Sequence, residues 1–396
     1  MDDGKKVKIL TVAPLYRFFI KEFVEALSKQ VEEVNVLIHH NYLAELAPFI
    51  PIPQCRHIEK FSRNNLIDRY NTPQNIIVRI LSTIYFIPDG KNVQLGDELL
   101  RKFNECVRRH KIEFDLIHAH FTWPSGYAAV KLAKMYNVPA VVTIHENDNW
   151  LLREHCSNNN RIHWTWKNAD ALIRVNKKDV PLLEEYNEDV FYVPNGFNPN
   201  KFLAMEQSKS REFVKLPKNS KIIFTYSNLI ERKGFQYLID SMNHIRKRRD
   251  DVLCFIGGSG PMKWKLGEQI KELGLEDCVK VLGFVPDDHL VYWMNAADLF
   301  VLPSLNEGNP TVMFEALGCG KPFVGTNVGG IPEIIESEDY GLLCNPADSK
   351  ALAKNIMLAL RKQWDEEKIR NYSEQYTWEN IAKRTLKVYM RLLKPD

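Results

Sequence analysis

The chain has 396 residues, 45% hydrophobic and 26% charged, with 53 Lys and Arg against 50 Asp and Glu for a formal net charge of +3. This is ordinary globular composition with room for two domains of about 100–200 residues each, and the charge is too mild and too evenly interspersed for a nucleic-acid binder. No apolar run reaches the ~18 residues of a membrane span, and the seven cysteines are scattered with no C-x-x-C pair, the pattern of reduced, mostly buried cytoplasmic thiols.

MDDGKKVKIL runs straight into a strand at residues 6–14, with no signal-peptide pattern. Apolar residues then recur at helical spacing over Phe18–Gln30, before a second strand at VNVLIHH. This β-α-β opening lacks G-x-G-x-x-G; Tyr16, Arg17 and Phe18 fill the first loop, so a dinucleotide fingerprint is absent. Residues 41–95 are the least regular stretch. Their apolar piece, Ile76–Pro88, reads as a core helix or strand pair, with an apolar surface for a lipid-linked partner or the bilayer as the alternative. A helix over Asp97–His110, a strand over Phe114–His120, a loop, a helix over Tyr127–Tyr136 and strands over Pro139–Asp148, Ala169–Asn176 and Asp189–Phe197 complete the first half.

The turn-rich Pro194–Phe202 reads as a hinge. After it the alternation restarts: strand 220–229, helix 235–248, strand 252–261 into a glycine turn, helix 262–273, strand 279–286, helix 289–296 and strand 299–305. A long amphipathic helix, Trp378–Leu393, closes the chain. The reading is α/β: two Rossmann-like, doubly wound parallel-sheet domains, 1–195 and 196–375, with 376–396 as a terminal helix. Ligands of such sheets bind at the carboxyl ends of the strands, in a cleft expected here between the two halves.

The densest functional signal is NEGNPTVMFEALGCGKPFVGT, residues 306–326. Pro310 suits the first turn of a helix, Asn309 is then the expected N-cap, and Gly318 and Gly320 end the helix. The amides of Thr311 and Val312 would face an anion, yet Glu307 and Glu315 flank this site. A phosphate carrying a neutral, hydroxyl-rich sugar reconciles the two. Three other strand-end loops join it: Ser227–Gly234 with Arg232 and Lys233, the turn Gly257–Pro261 with Gly258 for close backbone approach, and Gly283–Pro286 with Val285. Each is weak alone; their convergence makes a diphosphate cradle.

In the first half, His118 and His120 lie two apart on one face of a strand, and His145 ends another. A metal site would need Asp115, Glu146 or Asp148 as further ligands. A core-edge His118 bonded to backbone, with His145 facing the cleft, fits better. There is no D-x-D triplet for a divalent ion; a metal-free site needs another source of positive charge, which Lys233, Arg232 and the helix start before Thr311 could supply.

The segments GGSGP, GFVP, NAADLFVLPS, NEGNPTVMFEALGCGKPFVGTNVGGIPEII and GLLCNPAD, with HAHFTWPSGYAAVKLAKMYNVPAVVTIH and VPNGFNPNKF, resemble the retaining glycosyltransferases of family 4, of GT-B fold. The resemblance spans most of the chain outside 41–95 and includes the E-x7-E motif of Glu307 and Glu315. It implies that Glu307 and His145 act at the donor sugar and Glu315 holds the ribose. Lys233 and the amides near Pro310 and Thr311 would take the diphosphate, and the Phe284–Val285 backbone the base. It further implies a hexosyltransferase using a nucleotide diphosphate sugar, UDP ahead of GDP, with no metal or other cofactor. The acceptor would be a hydroxyl of a glycan or lipid-linked partner in polysaccharide or glycolipid biosynthesis. The place would be the cytoplasm, with peripheral contact at the inner membrane face. A nucleotide-sugar epimerase of similar fold and a non-catalytic sugar-nucleotide binder are the alternatives. Three departures stand out. Ser227–Asn228 replaces the family's Gly-Arg, with Arg232 the candidate substitute; the first loop is bulky rather than glycine-rich; and Asn309 replaces a common phenylalanine.

Overall fold

The computed structural model describes residues 7–46, 62–85 and 92–394. The chain divides into two compact units, residues 1–194 with 378–396, and residues 195–377. Each is built on one parallel sheet.

The first unit has strands β1 (Lys8–Ala13), β2 (Glu33–Asn41), β3 (Ile76–Thr83), β4 (Leu116–His120), β5 (Ala140–Ile144), β6 (Ala171–Arg174) and β7 (Val190–Tyr192), in the order β3-β2-β1-β4-β5-β6-β7. Strand residues alternate between faces. Leu10 and Val12 enter one core with the helices Leu95–His110 and Tyr127–Tyr136. Ile9 and Ala13 enter the other with Phe18–Ser28 and Trp378–Leu392. Both faces are therefore covered, which is why these strands read as continuous apolar runs. The terminal helix is tied down by polar contacts as well: Trp378 Nε1 donates to Glu22 at 2.8 Å and Lys29 to Glu379 at 2.5 Å.

The second unit has β8 (Lys221–Tyr226), β9 (Val252–Gly257), β10 (Val279–Gly283), β11 (Leu299–Leu302), β12 (Phe323–Thr326) and β13 (Gly341–Cys344), in the order β10-β9-β8-β11-β12-β13. One face packs on Phe235–Arg246 and Ser349–Ala359, the other on Asp287–Ala296 and Thr311–Gly318. In both units strand order reverses beside the first strand, at β1/β4 and β8/β11, and such a switch point opens a crevice at the strand ends.

The expected elements are present with shifted ends. The strand expected over Pro139–Asp148 stops at Ile144, because Asn147 accepts from the Trp150 amide and starts a helix at Asp148. The apolar piece from Ile76 is the edge strand β3 as far as Thr83; Phe86–Pro88, like Cys55 and the first six residues, lie outside the described residues. No helix among the described residues is long and apolar enough to cross a membrane.

Candidate active site

The β8/β11 switch point holds most of the residues the sequence singles out. The loop after β8 ends at Gly234, whose φ is +69° and whose added Cβ would lie 1.9 Å from the Pro303 carbonyl oxygen. Only glycine permits that approach. The Leu305 amide donates to the Arg232 carbonyl at 2.7 Å, stitching the loop to the one after β11. This brings Arg232 and Lys233 onto Glu307. Lys233 Nζ donates to Glu307 Oε1 at 2.5 Å, Ser304 Oγ to the same oxygen at 2.6 Å, and Arg232 Nη1 to Oε2 at 3.3 Å. From the other side Gly330 donates to the Gly308 carbonyl at 2.7 Å, and a Cβ on Gly329 would lie 2.2 Å from the Glu307 carbonyl oxygen.

Glu307 and Lys233 are both buried. Burial works to raise the Glu307 carboxyl, but Lys233 and Arg232 outweigh it and hold the group below the usual carboxylate range. Burial pulls the Lys233 ammonium below its ordinary value, opposed by Glu307. At 2.5 Å the two form an ion pair. The result is a carboxylate held by two cations through the protein's own contacts.

The helix beyond begins at Thr311, with Pro310 in extended conformation at the N-cap and no side-chain cap. Asn309 is therefore not the N-cap expected from sequence. Its Oδ1 accepts from the Asn195 amide at 2.9 Å, and Asn195 Nδ2 returns a bond to the Asn309 carbonyl at 2.7 Å. The side-chain oxygen is thus spent on the segment entering this unit. Thr311 and Val312 are first-turn residues, whose amides have no intrahelical acceptor. Glu315 is half-buried on this helix; with Asp287, and after burial itself, it pushes the Tyr226 phenol up to about 12.

The glycine turn after β9 approaches protein rather than standing open. A Cβ on Gly258 would lie 1.8 Å from the Ser227 carbonyl oxygen, and one on Gly260 2.4 Å from that of Leu229. Gly258 donates to Gly283 at 2.7 Å. Val285 is buried in the core beneath Gly257, whereas Phe284 is exposed. Arg232, Lys233 and Glu307 are thus in direct contact. Gly258 and Val285 shape the neighbouring loops, and Glu315 lies by Tyr226. Sequence reasoning missed Ser304, Asn195 and the Gly329–Gly330 pair. The glycine pair after strand β12 was the available signal.

His145 belongs to the first unit. Its Nε2 lies 2.9 Å from His120 Nδ1, the two rings stacked at 5.2 Å, with Phe19 and Phe121 packed on its other sides at 5.0 and 5.2 Å. Arg174, fully buried, donates to the carbonyls on either side of it, Ile144 at 2.8 Å and Glu146 at 2.6 Å, and pairs with Asp179. His118 does share its strand face with His120, ring centroids 4.4 Å apart. It bonds side chains, however, not backbone: Nδ1 lies 2.6 Å from the Tyr389 hydroxyl and Nε2 2.7 Å from Thr143 Oγ1. Both its nitrogens are used. Burial drives His118 well below the usual histidine range and His120 to about 3. Among the described residues no group of three or more His, Cys, Asp or Glu side chains is placed to hold a metal ion.

Residues 206–376 match the model for glycosyl transferases group 1, and residues 19–201 that for glycosyltransferase family 4. The N-acetyl-alpha-D-glucosaminyl L-malate synthase of Bacillus anthracis is 27% identical over 311 residues, covering 75% of this chain and 80% of that protein. An uncharacterized glycosyltransferase of Methanocaldococcus jannaschii is 30% identical over 295 residues, 70% of this chain and 75% of its own. Among solved structures, sucrose-phosphate synthase from Thermosynechococcus elongatus superposes with a TM-score of 0.76 at 19% identity, over 97% of this chain and 99% of the other. HepE of Anabaena in complex with UDP gives 0.72 at 20%, over 97% and 100%.

Proposed function

The chain belongs to the group 1 glycosyl transferases, of GT-B fold, and from that premise we propose that it moves a hexosyl group, with retention at the anomeric carbon, from a nucleotide diphosphate sugar to a hydroxyl acceptor. The observation that carries this is the buried Glu307 carboxylate, held by Lys233 at 2.5 Å and Arg232 at 3.3 Å and followed four residues later by a helix start. Cations and first-turn amides suit a diphosphate, and the carboxylate suits sugar hydroxyls.

In the proposed reaction the bond between the anomeric carbon and the diphosphate oxygen breaks. The acceptor oxygen bonds to the same face of that carbon, and its proton passes to the departing phosphate oxygen. Charge grows on the diphosphate, and Lys233, Arg232 and the Thr311 amide stabilise it with dipoles and charges already in place. The step then needs no divalent ion. Glu307 orients the donor sugar and Glu315 the ribose, with the Phe284–Val285 backbone at the base; His145 contributes from the first unit. UDP is preferred to GDP; HepE, of the same fold, was solved with UDP and with UDP-glucose.

The acceptor in this proposal is a glycan or lipid-linked glycan of polysaccharide or glycolipid synthesis. Exposed apolar side chains at and just beyond the edge strand β3, Ile77 and Ile84, support peripheral contact with the cytoplasmic face of a membrane. Sedimentation with liposomes tests that part, and a protein left wholly in the supernatant removes it.

The central test is a donor screen reading nucleoside diphosphate release in the presence of EDTA, with the product's anomeric configuration read by NMR. Glu307→Gln should lower kcat by about 10²–10³, the scale for losing one preorganised electrostatic group. Full activity in that variant, or an inverted product, overturns the proposal.

A further inference from the structure

One side chain at the strand ends of the second unit has no part in the reaction scheme above. Tyr226 is the last residue of β8, at the β8/β11 switch point, and is half-buried. Its ring packs on the sheet face that carries the helices Asp287–Ala296 and Thr311–Gly318. It passes over its strand partner Gly257, where a Cβ would lie 3.0 Å from Tyr226 Cδ2 and 3.0 Å from Val285 Cγ2. A residue without a side chain at 257 thus gives the phenol its place. The hydroxyl makes no hydrogen bond among the described residues, yet it is not among the unpartnered polar atoms sealed in the interior. Solvent therefore reaches it.

Two carboxylates lie close enough to act on this phenol, Asp287 and Glu315. Asp287 is paired with Lys201 at 3.1 Å. Glu315 is the residue placed at the ribose in the proposed reaction. An ionised carboxylate only accepts hydrogen bonds, whereas a hydroxyl both donates and accepts. Glu315 can therefore take the two hydroxyl hydrogens of a ribose diol but can give nothing to its oxygens. A donor beside it completes the grip, and the phenol O–H is one. We propose that Tyr226 is a specificity-determining residue that donates to one oxygen of the ribose diol while Glu315 accepts from its hydroxyls, so that the pair selects ribonucleoside over deoxyribonucleoside diphosphates. Burial first, then Asp287 and Glu315, push the phenol up to about 12, so it keeps its hydrogen throughout the physiological range. A deoxyribose would leave the phenol without its acceptor, and a site built to bond a hydroxyl rejects the analogue that lacks it. The inference rests on the proposed role of Glu315 at the ribose.

Titration calorimetry on the intact protein with UDP, 2′-deoxy-UDP and 3′-deoxy-UDP tests this. GDP and its deoxy forms, which carry the same sugar, replace the UDP series if the donor screen selects them. Tyr226→Phe keeps the ring over Gly257 and removes only the hydroxyl. It should bind UDP about 5- to 10-fold more weakly than the parent, the scale of one hydrogen bond. One of the two deoxy analogues, the one lacking the oxygen that the phenol bonds, should bind this variant and the parent equally well. Undiminished affinity for UDP would overturn the inference. So would an equal loss for UDP and both analogues, the pattern of a side chain that only shapes the site. Glu315→Gln checks the premise separately. Parental affinities for all three ligands in that variant, beside the expected pattern in Tyr226→Phe, would instead overturn the role given to Glu315.

Discussion

Glu307 is the residue on which stability and activity conflict most directly. Lys233→Met would leave its buried carboxylate with Arg232 as the one remaining cation, and breaking a buried pair by removing one partner costs about 3–5 kcal/mol. Adding Glu307→Gln to that variant removes the stranded charge. The double variant should therefore recover part of the denaturant midpoint and none of the transfer activity. If the double variant is no more stable than Lys233→Met, the ion pair is not what burial at this site turns on. Arg232→Ala separates the second cation: its guanidinium also donates to the Asn306 carbonyl at 3.1 Å, and donor affinity should drop if it stands in for the missing arginine at Asn228. The convergence of the Glu307 and Lys233 loops, and the place of His145 at a strand end, were legible in the sequence because strand ends and spacing mark them. Ser304 was not, since one serine three residues before a glutamate carries no pattern; only the folded loop brings its hydroxyl to 2.6 Å.

At the level of elements, the strands were legible and several helices were not. Parallel strands covered on both faces are short apolar runs, which periodicity detects. The helices Asp148–His155 and Asn160–Asn168 are rich in Asn, His, Trp and charged residues and show no apolar stripe long enough to read. Asn147 and Asn159 cap these helices in the structure, while Asn309, the N-cap expected from sequence, does not. Competition for the side-chain acceptor decides between these outcomes, and sequence does not display the competitor. The contrast predicts that Asn147→Ala destabilises by about 1 kcal/mol through loss of a cap. Asn309→Ala should instead lose the bond its Oδ1 accepts from the Asn195 backbone amide, and Asn195→Ala the separate bond from its Nδ2 to the Asn309 carbonyl. Because both bonds join the same two residues, a double-mutant cycle should show coupling between them, and strictly additive losses would show that each bond holds without the other. The glycine turn has a similar lesson. Gly258→Ala should destabilise the protein even without substrate, because its Cβ would meet the Ser227 carbonyl at 1.8 Å. A variant folded as stably as the parent would mean the turn is shaped by ligand rather than by its neighbouring loop.

At the scale of the molecule, each unit has its own cores, and they should respond to different perturbations. Acid should act on the first unit first, in a window above that in which the depressed Glu307 carboxyl of the second unit takes up its proton. His120 takes up a proton in the folded state only near pH 3, against an ordinary value of 6.5. Between those values the unfolded chain binds the extra proton, so stability falls as pH drops through the window, by about 1.4 kcal/mol per pH unit for this group. His118 acts in the same direction. Glu154 opposes them: burial holds its carboxyl well above the ordinary 4.5, so its contribution is lost as pH rises. Comparing the parent with His120→Asn isolates one term, and the slope of stability against pH should be shallower in the variant by about that amount between roughly pH 4 and 6. Nucleoside diphosphate should act on the second unit, which carries Lys233, Arg232 and the Thr311 helix start. At UDP near 100 times its Kd, a ligand that binds only the folded unit adds about 2.7 kcal/mol, or about 100-fold slower exchange through global opening. Hydrogen exchange should therefore slow by that factor in β8 and β11 and stay unchanged in β4 and β5, while acidification should lower the protection factors of β4 and β5 first, once the slower intrinsic exchange at low pH is divided out. Equal protection of all four strands by UDP would show that the units open as one, and protection confined to β4 and β5 would put the nucleotide on the wrong sheet.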